Sequence, residues 1–407
     1  MDTLTLKDKY DLKELELNAL LEVTEAINSN LPEASLYKIY SFILRANLNI
    51  RKLALFVLDD EWSFKSGFGT EFDFEYAELD PEFHSISGIC QASEFLPENS
   101  PYREFEMVIP VFHKDQTLAY VLIGSLDGQS KDEVDTNFIE VLSNIILVAI
   151  ENKKLARRQL RQEAFKKEME IAKHVQQLLF PKELPNDKYV QVEASYLPHH
   201  NVGGDYYDFI RLDSNKFMLC IADVSGKGVP AAILMSNFQA SLRTLARKTI
   251  NLFEIVGELN YQVMQSANGE NFITFFACIY DKKEQHLSYV NAGHNPPYLL
   301  QDGDKPVELG TGCTILGMFD PLPSLQVGHV NDLTDFLLFS FTDGFTETFN
   351  EEQEPFGQER LAALLQEIVF SDLSGLHKAL LNELDVFKGD REYDDDITLL
   401  SCRVNLN

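Results

Sequence analysis

Residues 201–228 read NVGGDYYDFIRLDSNKFMLCIADVSGKG, and this stretch decides the fold of the second half of the chain. A glycine pair precedes Asp205, and the apolar run that begins at Phe217 stops at Asp223. Aromatic and β-branched residues favour strands, and glycine lets a backbone approach a neighbour closely. We therefore predict two strands whose ends each present a carboxylate. Such oxygen ligands suit a hard cation such as Mg²⁺ or Mn²⁺.

The length and charge of the chain limit its class. Its 407 residues are too many for one ordinary core, so we expect two domains and a connector. A net charge of -29 argues against nucleic acid or an anionic membrane surface as a partner. The N-terminus has no signal-peptide pattern, and the apolar runs are too short to span a bilayer. We expect a cytoplasmic protein.

The cysteines give a second indication of the compartment. There are five of them, scattered along the chain without CxxC spacing. This number and spacing argue against a disulfide framework and against a zinc site. Reduced thiols are expected.

The first third of the chain contains both helical and strand patterns. The predicted elements are helices at 12–28 and after Pro32, strands at 53–58, 105–111 and 117–123, a turn at 113–115 and a helix from about Lys131. This order, with IPVFHKDQTLAYVLIG followed by FIEVLSNIILVAIENKKL, resembles a GAF domain over roughly residues 15–155. The resemblance implies an α/β sensor domain at 1–150. It leaves two alternatives, an unknown small-molecule ligand or a role in dimerisation alone.

A basic segment at 151–182 connects the two acidic parts of the chain. It contains no glycine or proline before Pro181 and many strong helix formers, so it predicts one helix continuous with the last sensor helix. A heptad seam that indicates a parallel coiled coil passes near five residues: Phe165, Met169, Ala172, Gln176 and Leu179. A homodimer through the sensor domain and this helix follows from that interpretation. The alternative is a helix packed on its own catalytic domain.

Short strands and tight turns follow from Tyr189 onward, and several strands meet an aspartate at one end. These junctions are Ala222-Asp223, Thr342-Asp343-Gly344 and Asp395-Asp396-Ile397, with Asp205 as a fourth acidic position. If the strands are neighbours, the acids converge and repel one another unless cations neutralise them. The chemistry that follows is hydrolysis by two metal ions about 4 Å apart, which activate a water for in-line attack on phosphorus.

Five motifs in order carry a second resemblance: GGDYYDF, ADVSGKGVPAAILM, NAGHNPP, FTDGFTE and DDDITLL. Residues 170–405 resemble the metal-dependent protein phosphatases (PPM, the protein phosphatase 2C superfamily), in the SpoIIE/RsbU-like branch. The resemblance implies an α-β-β-α sandwich at 183–407, within an α+β chain. It also implies dephosphorylation of phosphoserine or phosphothreonine, usually on a STAS-type anti-sigma-factor antagonist.

The same resemblance assigns the metal ligands for two Mn²⁺ or Mg²⁺ ions. Asp223 is expected to bridge both ions. Asp343 and Asp395 complete one ion. Asp205, with the backbone carbonyl of Val224, completes the other.

Neighbouring positions receive supporting roles. Asp396 is expected to orient a metal-bound water. Asp208 either supports these ligands or is structural. Gly204 and Gly344 keep the backbone close to the site.

The phosphate-binding arginine of other branches has no evident counterpart near Asp205, so phosphate binding is expected to fall mainly to the metals. His294 is interpreted as a structural hydrogen-bonding residue rather than a general acid. His199 and His200 are interpreted as an exposed strand end. Two interpretations of Lys227 are open. It contacts a phosphate or an acidic partner, or it is a solvated loop lysine, and the solvated lysine is preferred.

Three functions compete. The leading hypothesis is a sensor-regulated Ser/Thr phosphatase of a partner-switching pathway. The second is a pseudophosphatase that holds a phosphoprotein without turnover, but such proteins should lack one or more of the four aspartates. The third is a nucleotide cyclase, which would need base-recognition motifs that the sequence does not contain.

Overall fold

The computed structural model describes residues 6–48, 50–59, 61–75, 77–113, 116–126, 136–267, 269–301, 305–367 and 372–406. The chain forms two compact units, Met1–Glu163 and Ala164–Asn407. The division falls inside a long helix, so each unit is considered separately. Among the described helices, none combines the length and the apolar character that crossing a membrane requires.

The N-terminal unit is built on a five-stranded antiparallel sheet with the order β2-β1-β5-β4-β3. Its elements are α1 (Leu6–Asn28), α2 (Glu33–Asn47), β1 (Ile50–Leu58), β2 (Trp62–Phe68), β3 (Cys90–Gln91), α3 (Ala92–Phe95), β4 (Met107–His113), β5 (Gln116–Leu126) and α4 (Thr136–Gln177). Two short 3₁₀ helices lie at Pro81–Ser85 and Pro101–Glu104.

The sheet of this unit is buried on both faces. Alternate residues of β1 point to opposite sides, as strand geometry requires: Leu53 and Leu55 pack with α2 and α4, whereas Phe56 packs in the core on the other face. That second core is mainly aromatic and contains Phe74, Phe83, Tyr102, Phe105 and Tyr120. Several of its rings are in contact, such as Phe74 and Tyr102, whose centroids lie 5.1 Å apart.

Most N-terminal elements agree with the sequence-based predictions. The two helices, the buried strand and the paired strands are present as α1, α2, β1, β4 and β5. Residues 131 and 114–115, where a helix start and part of a turn were predicted, lie outside the described residues. Helix α4 continues through 151–177 without a break, as predicted. The region 59–104, for which no element was predicted above, contributes β2, β3 and α3.

The C-terminal unit contains two sheets and the helices that cover them. Its elements are β6 (Val190–Leu197), β7 (Tyr206–Arg211), β8 (Lys216–Val224), α5 (Val229–Ala246), α6 (Leu252–Ala267), β9 (Ile273–Asp281), β10 (His286–Ala292), β11 (Tyr298–Leu300), β12 (Val307–Glu308), β13 (Gly312–Cys313), β14 (Gly328–Val330), β15 (Asp335–Phe341), α7 (Asp343–Thr346), α8 (Gln358–Glu367), α9 (Leu373–Lys388) and β16 (Ile397–Asn405). The first sheet has the order β13-β10-β9-β8-β7, with β14 paired to β10, and the second has the order β12-β11-β15-β16-β6.

These elements form four layers. One core lies between the two sheets, a second joins the first sheet to α5 and α6, and a third joins the second sheet to α8 and α9. Strand β8 shows why its sequence is continuously apolar: Leu219 and Ile221 face the inter-sheet core, whereas Met218 and Cys220 face the helices. A strand covered on both faces has no polar side to alternate with. The predicted α-β-β-α layering is therefore observed.

The end of α4 packs on the C-terminal unit itself. Gln176 and Phe180 are buried there, and the Leu179 carbonyl accepts a hydrogen bond from Gln239 Nε2 of α5 at 3.2 Å. The Phe180 ring stacks on Tyr207, with centroids 4.9 Å apart. Gln176 therefore packs on the C-terminal unit, as in the alternative interpretation, rather than in a heptad seam. Phe165, earlier on the helix, is exposed.

A buried histidine joins α9 to the second sheet. His377 Nδ1 lies 2.9 Å from Ser195 Oγ, and Nε2 lies 2.8 Å from Ser401 Oγ. Burial lowers the pKa of His377 to about 4. Because the unfolded chain takes up a proton near the ordinary histidine pKa, the neutral buried ring stabilises the fold above about pH 6.5 and loses that contribution as the pH falls toward 4.

We predict that His377→Gln lowers the free energy of unfolding at pH 7, and that the difference from the unsubstituted chain shrinks as the pH falls from about 6.5 to about 4.5. The limiting slope is about 1.4 kcal/mol per pH unit. Urea denaturation followed by circular dichroism measures the free energy of unfolding against pH for the variant and for the unsubstituted chain. The difference between these two curves removes the pH dependence of other groups. Exposed His84→Gln is the control. A difference that does not change with pH would contradict the account.

Candidate metal centre

The strand pairing brings the predicted acidic residues to one end of each sheet. In the first sheet Tyr206 lies opposite Ala222, so Asp205 and Asp223 are neighbours across β7 and β8. In the second sheet β15 and β16 are antiparallel. The residues that follow β15 and precede β16 therefore meet at one end, where the Thr342 N–H donates to the Thr398 carbonyl at 3.0 Å.

Hydrogen bonds join the ends of the two sheets. Asp205 belongs to the first sheet and is almost fully buried. Its Oδ2 accepts a hydrogen bond from Thr342 Oγ1 at 2.9 Å and another from Thr398 Oγ1. Both threonines belong to the second sheet, so the Asp205 carboxylate is held between the sheets.

The clustered carboxyls raise one another's pKa. Burial, with the charges of Asp343, Asp395 and Asp396, raises the pKa of Asp223 to about 7, and Asp205 opposes this rise through a hydrogen bond. Burial and Asp223 also raise the pKa of Asp205 well above its ordinary value. The pKa of Asp343 is raised by burial, then by Glu347 and Asp395. Charges that disfavour ionisation in this way favour the binding of a cation.

Two glycines allow the backbone to approach this cluster. A Cβ on Gly204 would lie 2.6 Å from the carbonyl oxygen of Val224, the predicted main-chain ligand. A Cβ on Gly344 would lie 2.1 Å from the carbonyl oxygen of Asp396. Any side chain at either position would displace backbone next to a predicted ligand.

Asp396 fastens the loop that precedes β7. Its Oδ1 accepts the N–H of His199 and its Oδ2 accepts the N–H of Gly204, both at 2.8 Å. Both oxygens therefore have main-chain partners. The predicted contact of Asp396 with a metal-bound water stays a prediction.

Lys227 lies at the cluster, although a solvated loop lysine was preferred from the sequence. Its Nζ is 3.0 Å from Asp395 Oδ2 and donates to the carbonyl of Asp394. Asp395 Oδ1 accepts the N–H of Asp396 at 2.8 Å. The Asp395 carboxylate thus faces solvent and the Lys227 ammonium.

The structure decides between the two interpretations of Asp208 in favour of a structural role. Arg243 donates to its carboxylate twice, from Nε at 2.7 Å and from Nη2 at 3.0 Å. The hydroxyl of Tyr206 and the N–H of Phe209 also donate to it. The buried Asp208 therefore ties β7 to α5.

The predicted structural interpretation of His294 agrees with its surroundings. Its Nδ1 lies 2.8 Å from Thr274 Oγ1, and its N–H donates to Asn291 Oδ1 at 2.8 Å. Burial lowers the pKa of His294 to about 4, although the main chain of Phe341 acts to raise it. The ring is therefore neutral near pH 7. A neutral ring is a poor general acid.

His199 and His200 lie in a bend just beyond β6, as the strand-end interpretation predicted. Their ring centroids are 4.2 Å apart. The backbone of His199 contributes to the site through its bond to Asp396.

Gln176 was placed in a heptad seam by sequence reasoning, but it contacts the loop before Asp205. Its Nε2 donates to the Gly203 carbonyl at 2.8 Å, and its Oε1 accepts the Gly203 N–H at 3.3 Å. The end of α4 is thereby bonded to a residue two positions before a predicted metal ligand. The motif AKHVQQLLF marks a helix but contains no signal for this pairing.

Tyr196 is a second residue that sequence reasoning missed. Its hydroxyl is buried and makes no hydrogen bond within the described part of the chain. Burial, then the charges of Asp396, Asp205 and Asp223, raise the pKa of Tyr196, and the backbone of Gly203 opposes this. The phenol is therefore neutral beside the carboxylates.

The donor set fits a hard divalent cation, since it consists of carboxylates and a main-chain carbonyl. In the described residues, no three His, Cys, Asp or Glu side chains already have the arrangement of a metal site. Asp205 is instead turned toward threonine hydroxyls and Asp395 toward Lys227. Binding of an ion to Asp395 would require that side chain to exchange its present partner, whereas both threonine bonds to Asp205 fall on Oδ2.

Comparison with known proteins identifies the class. Residues 213–405 match the family described as Stage II sporulation protein E (SpoIIE). The fold resembles the SiaA-PP2C domain of Pseudomonas aeruginosa, with a TM-score of 0.53 and 22% identity, over 60% of this chain and 99% of that one. Residues 213–405 are therefore similar to SpoIIE-type domains, and the C-terminal unit has the fold of PP2C-type phosphatases. The predicted enzyme class, a phosphatase, is confirmed by the relatives described next.

Curated relatives are consistent with this class. Phosphoserine phosphatase RsbU of Bacillus subtilis (strain 168) is 29% identical over 243 residues, 60% of this chain and 71% of RsbU. Phosphoserine phosphatase RsbP of the same organism is 25% identical over 235 residues, 57% of this chain and 56% of RsbP. Protein IcfG of Synechocystis sp. (strain ATCC 27184 / PCC 6803 / Kazusa) is 26% identical over 295 residues, 63% of this chain and 45% of IcfG. The chain thus spans less than two thirds of RsbP and of IcfG.

We predict that Gly344→Ala destabilises the C-terminal unit by about 1–3 kcal/mol, because the added Cβ overlaps the Asp396 carbonyl. Gly310→Ala is the matched control, since a Cβ there meets no atom within 4 Å. Urea unfolding of both variants measures the effect. Equal stability of the two variants would contradict the close approach at residue 344.

Proposed function

We propose that the chain is a metal-dependent phosphoserine/phosphothreonine protein phosphatase. The observation that carries this proposal is the convergence of four acidic residues from two sheets at one end of the sandwich: Asp205, Asp223, Asp343 and Asp395. The names of RsbU and RsbP support phosphoserine as the substrate group. A pseudophosphatase is the alternative, and the presence of all four aspartates argues against it.

The proposed chemistry assigns each residue a task. Two divalent ions, Mn²⁺ or Mg²⁺, would be held by Asp223 with Asp343 and Asp395, and by Asp223 with Asp205 and the Val224 carbonyl. When bound, they would supply a nucleophile at neutral pH and neutralise developing charge. The threonine hydroxyls fix the Asp205 carboxylate, which keeps its orientation before the substrate arrives. Asp396 holds the preceding loop in place.

The proposed substrate is a phosphorylated STAS-type protein of a partner-switching pathway. This rests on the resemblance to the SpoIIE/RsbU-like branch and on the relatives named above. A protein substrate also agrees with the position of the cluster at the end of the sandwich, where Asp395 is half exposed. Phosphate on a protein surface can reach a site of this kind without entering a deep cavity.

We also propose that the N-terminal unit is a GAF-like sensor that regulates the phosphatase through α4. The helix begins in that unit and ends at the loop of Gly203, where Gln176 makes two hydrogen bonds. A ligand, a partner or a dimer rearrangement in the sensor would alter these bonds. The exposed apolar residues Leu155, Leu160 and Phe165 on α4 support a homodimer.

Phosphate release from a phosphoserine STAS protein tests the proposed activity. We predict hydrolysis with Mn²⁺, none with a chelator, and a loss on the order of 10³-fold in Asp223→Asn, because metal ions supply several kcal/mol of transition-state stabilisation. Exposed Asp390→Asn is the control and should retain activity. A folded, unsubstituted chain that releases no phosphate would favour the binding-protein alternative.

We predict that Gln176→Leu lowers kcat by about tenfold, since loss of the amide frees the Gly203 loop and misplaces Asp205. Gln177→Leu is the matched control, because that side chain is exposed one position along the same helix. Steady-state kinetics of the two variants measure the effect. Unchanged kcat in Gln176→Leu would remove the proposed link between α4 and the site.

A further inference from the structure

Lys227 occupies an unusual loop next to the carboxylates. The loop connects β8, which carries Asp223, to the start of α5. Glycines flank the lysine on both sides, and both have positive φ: Gly226 at +91° and Gly228 at +71°. A Cβ on Gly228 would meet no atom within 4 Å. The backbone on either side of Lys227 thus adopts a conformation that favours glycine.

Lys227 donates to the Asp394 carbonyl, and its ion pair with Asp395 is weak. Its Nζ lies 3.0 Å from Asp395 Oδ2, but the lysine side chain is 46% exposed and that of Asp395 is 47% exposed. Ion pairs this accessible to solvent contribute about 0–1 kcal/mol. The charge of Lys227 also opposes the rise in the pKa of Asp343, so the ammonium acts on a second predicted metal ligand. The ammonium can leave Asp395 at little cost.

Other nearby cations have different partners. Arg243 binds both oxygens of Asp208. Arg391 donates to the carbonyl of Asn350 and lies 3.7 Å from Asp394. Among the ion pairs of the described residues, the pair of Lys227 with Asp395 is the one that includes a member of the four clustered aspartates.

We propose that Lys227 is the residue that binds the substrate phosphate. The inference rests on the proposed function, whose substrate carries a phosphate dianion. The clustered carboxylates repel such an anion, and an ammonium group with three hydrogen-bond donors offsets that repulsion. Asp395 is itself a predicted metal ligand, so a divalent cation competes with Lys227 for the same carboxylate. A divalent cation held by Asp395 would therefore leave the Lys227 ammonium available to phosphate.

This exchange predicts two effects of opposite sign when the lysine charge is removed. Phosphate binding should weaken, because a charge-assisted hydrogen bond is lost. Binding of Mn²⁺ to the metal-free protein should strengthen, because a competing positive charge leaves Asp395. A lysine that merely supports the loop would weaken both when replaced. The two signs together distinguish a ligand-binding role from a structural one.

The test uses Lys227→Gln in the full chain, with exposed Lys248→Gln as control. Calorimetric titration of Mn²⁺ into metal-free protein is expected to show a few-fold tighter binding in Lys227→Gln. Titration of inorganic phosphate into the Mn²⁺-loaded protein is expected to show about tenfold weaker binding. Lys227→Arg should restore phosphate binding, and Lys248→Gln should behave as the unsubstituted chain.

Unchanged phosphate affinity in Lys227→Gln, or weaker binding of both Mn²⁺ and phosphate, would overturn the inference. Hydrolysis is scored separately with the phosphoserine protein. A chain that binds phosphate through Lys227 without hydrolysing the phosphoprotein would support this inference and overturn the proposed phosphatase activity. A chain that hydrolyses it equally well with glutamine at 227, with the same KM, would leave the activity standing and overturn the role of Lys227.

Discussion

The hydrogen bonds from Thr342 and Thr398 to Asp205 are the interaction on which the site depends. Together with the bond from the Gly204 N–H to Asp396, they connect the ends of two sheets whose faces pack through the apolar side chains of the inter-sheet core. A buried carboxylate is costly unless its oxygens have donors. Here the donors come from the opposite sheet, so the same bonds that satisfy Asp205 also fix the relative position of the two sheet ends. The remaining acidic residues take their positions from that junction.

The cluster shows how a fold can keep unfavourable charges together. Burial and mutual repulsion raise the pKa of Asp205, Asp223 and Asp343. The three apolar cores of the unit supply the stability that holds these carboxylates in place. A site of this kind is poised for cations because binding removes the repulsion. Lys227, on its loop between two glycines, already supplies part of the neutralising positive charge at Asp395.

Sequence patterns predicted the parts of the molecule that depend on local chemistry. The long apolar strands and the amphipathic helices were recognised because burial follows their own periodicity. The acidic residues were recognised because each ends a strand. The region 59–104 gave no pattern, since its aromatic residues pack in a core built from several separate segments. The bonds of Gln176 to Gly203 join residues 27 apart, and no local preference of either residue encodes them.

A crystal structure of the chain grown with Mn²⁺, with an anomalous difference map, would show whether the clustered carboxylates bind metal ions. We predict two peaks about 4 Å apart between the ends of the two sheets. Asp223 would contact both, Asp205 one, and Asp343 and Asp395 the other, with Lys227 displaced from Asp395. A map with no peak at these carboxylates, or with Mn²⁺ bound only elsewhere on the acidic surface, would contradict it.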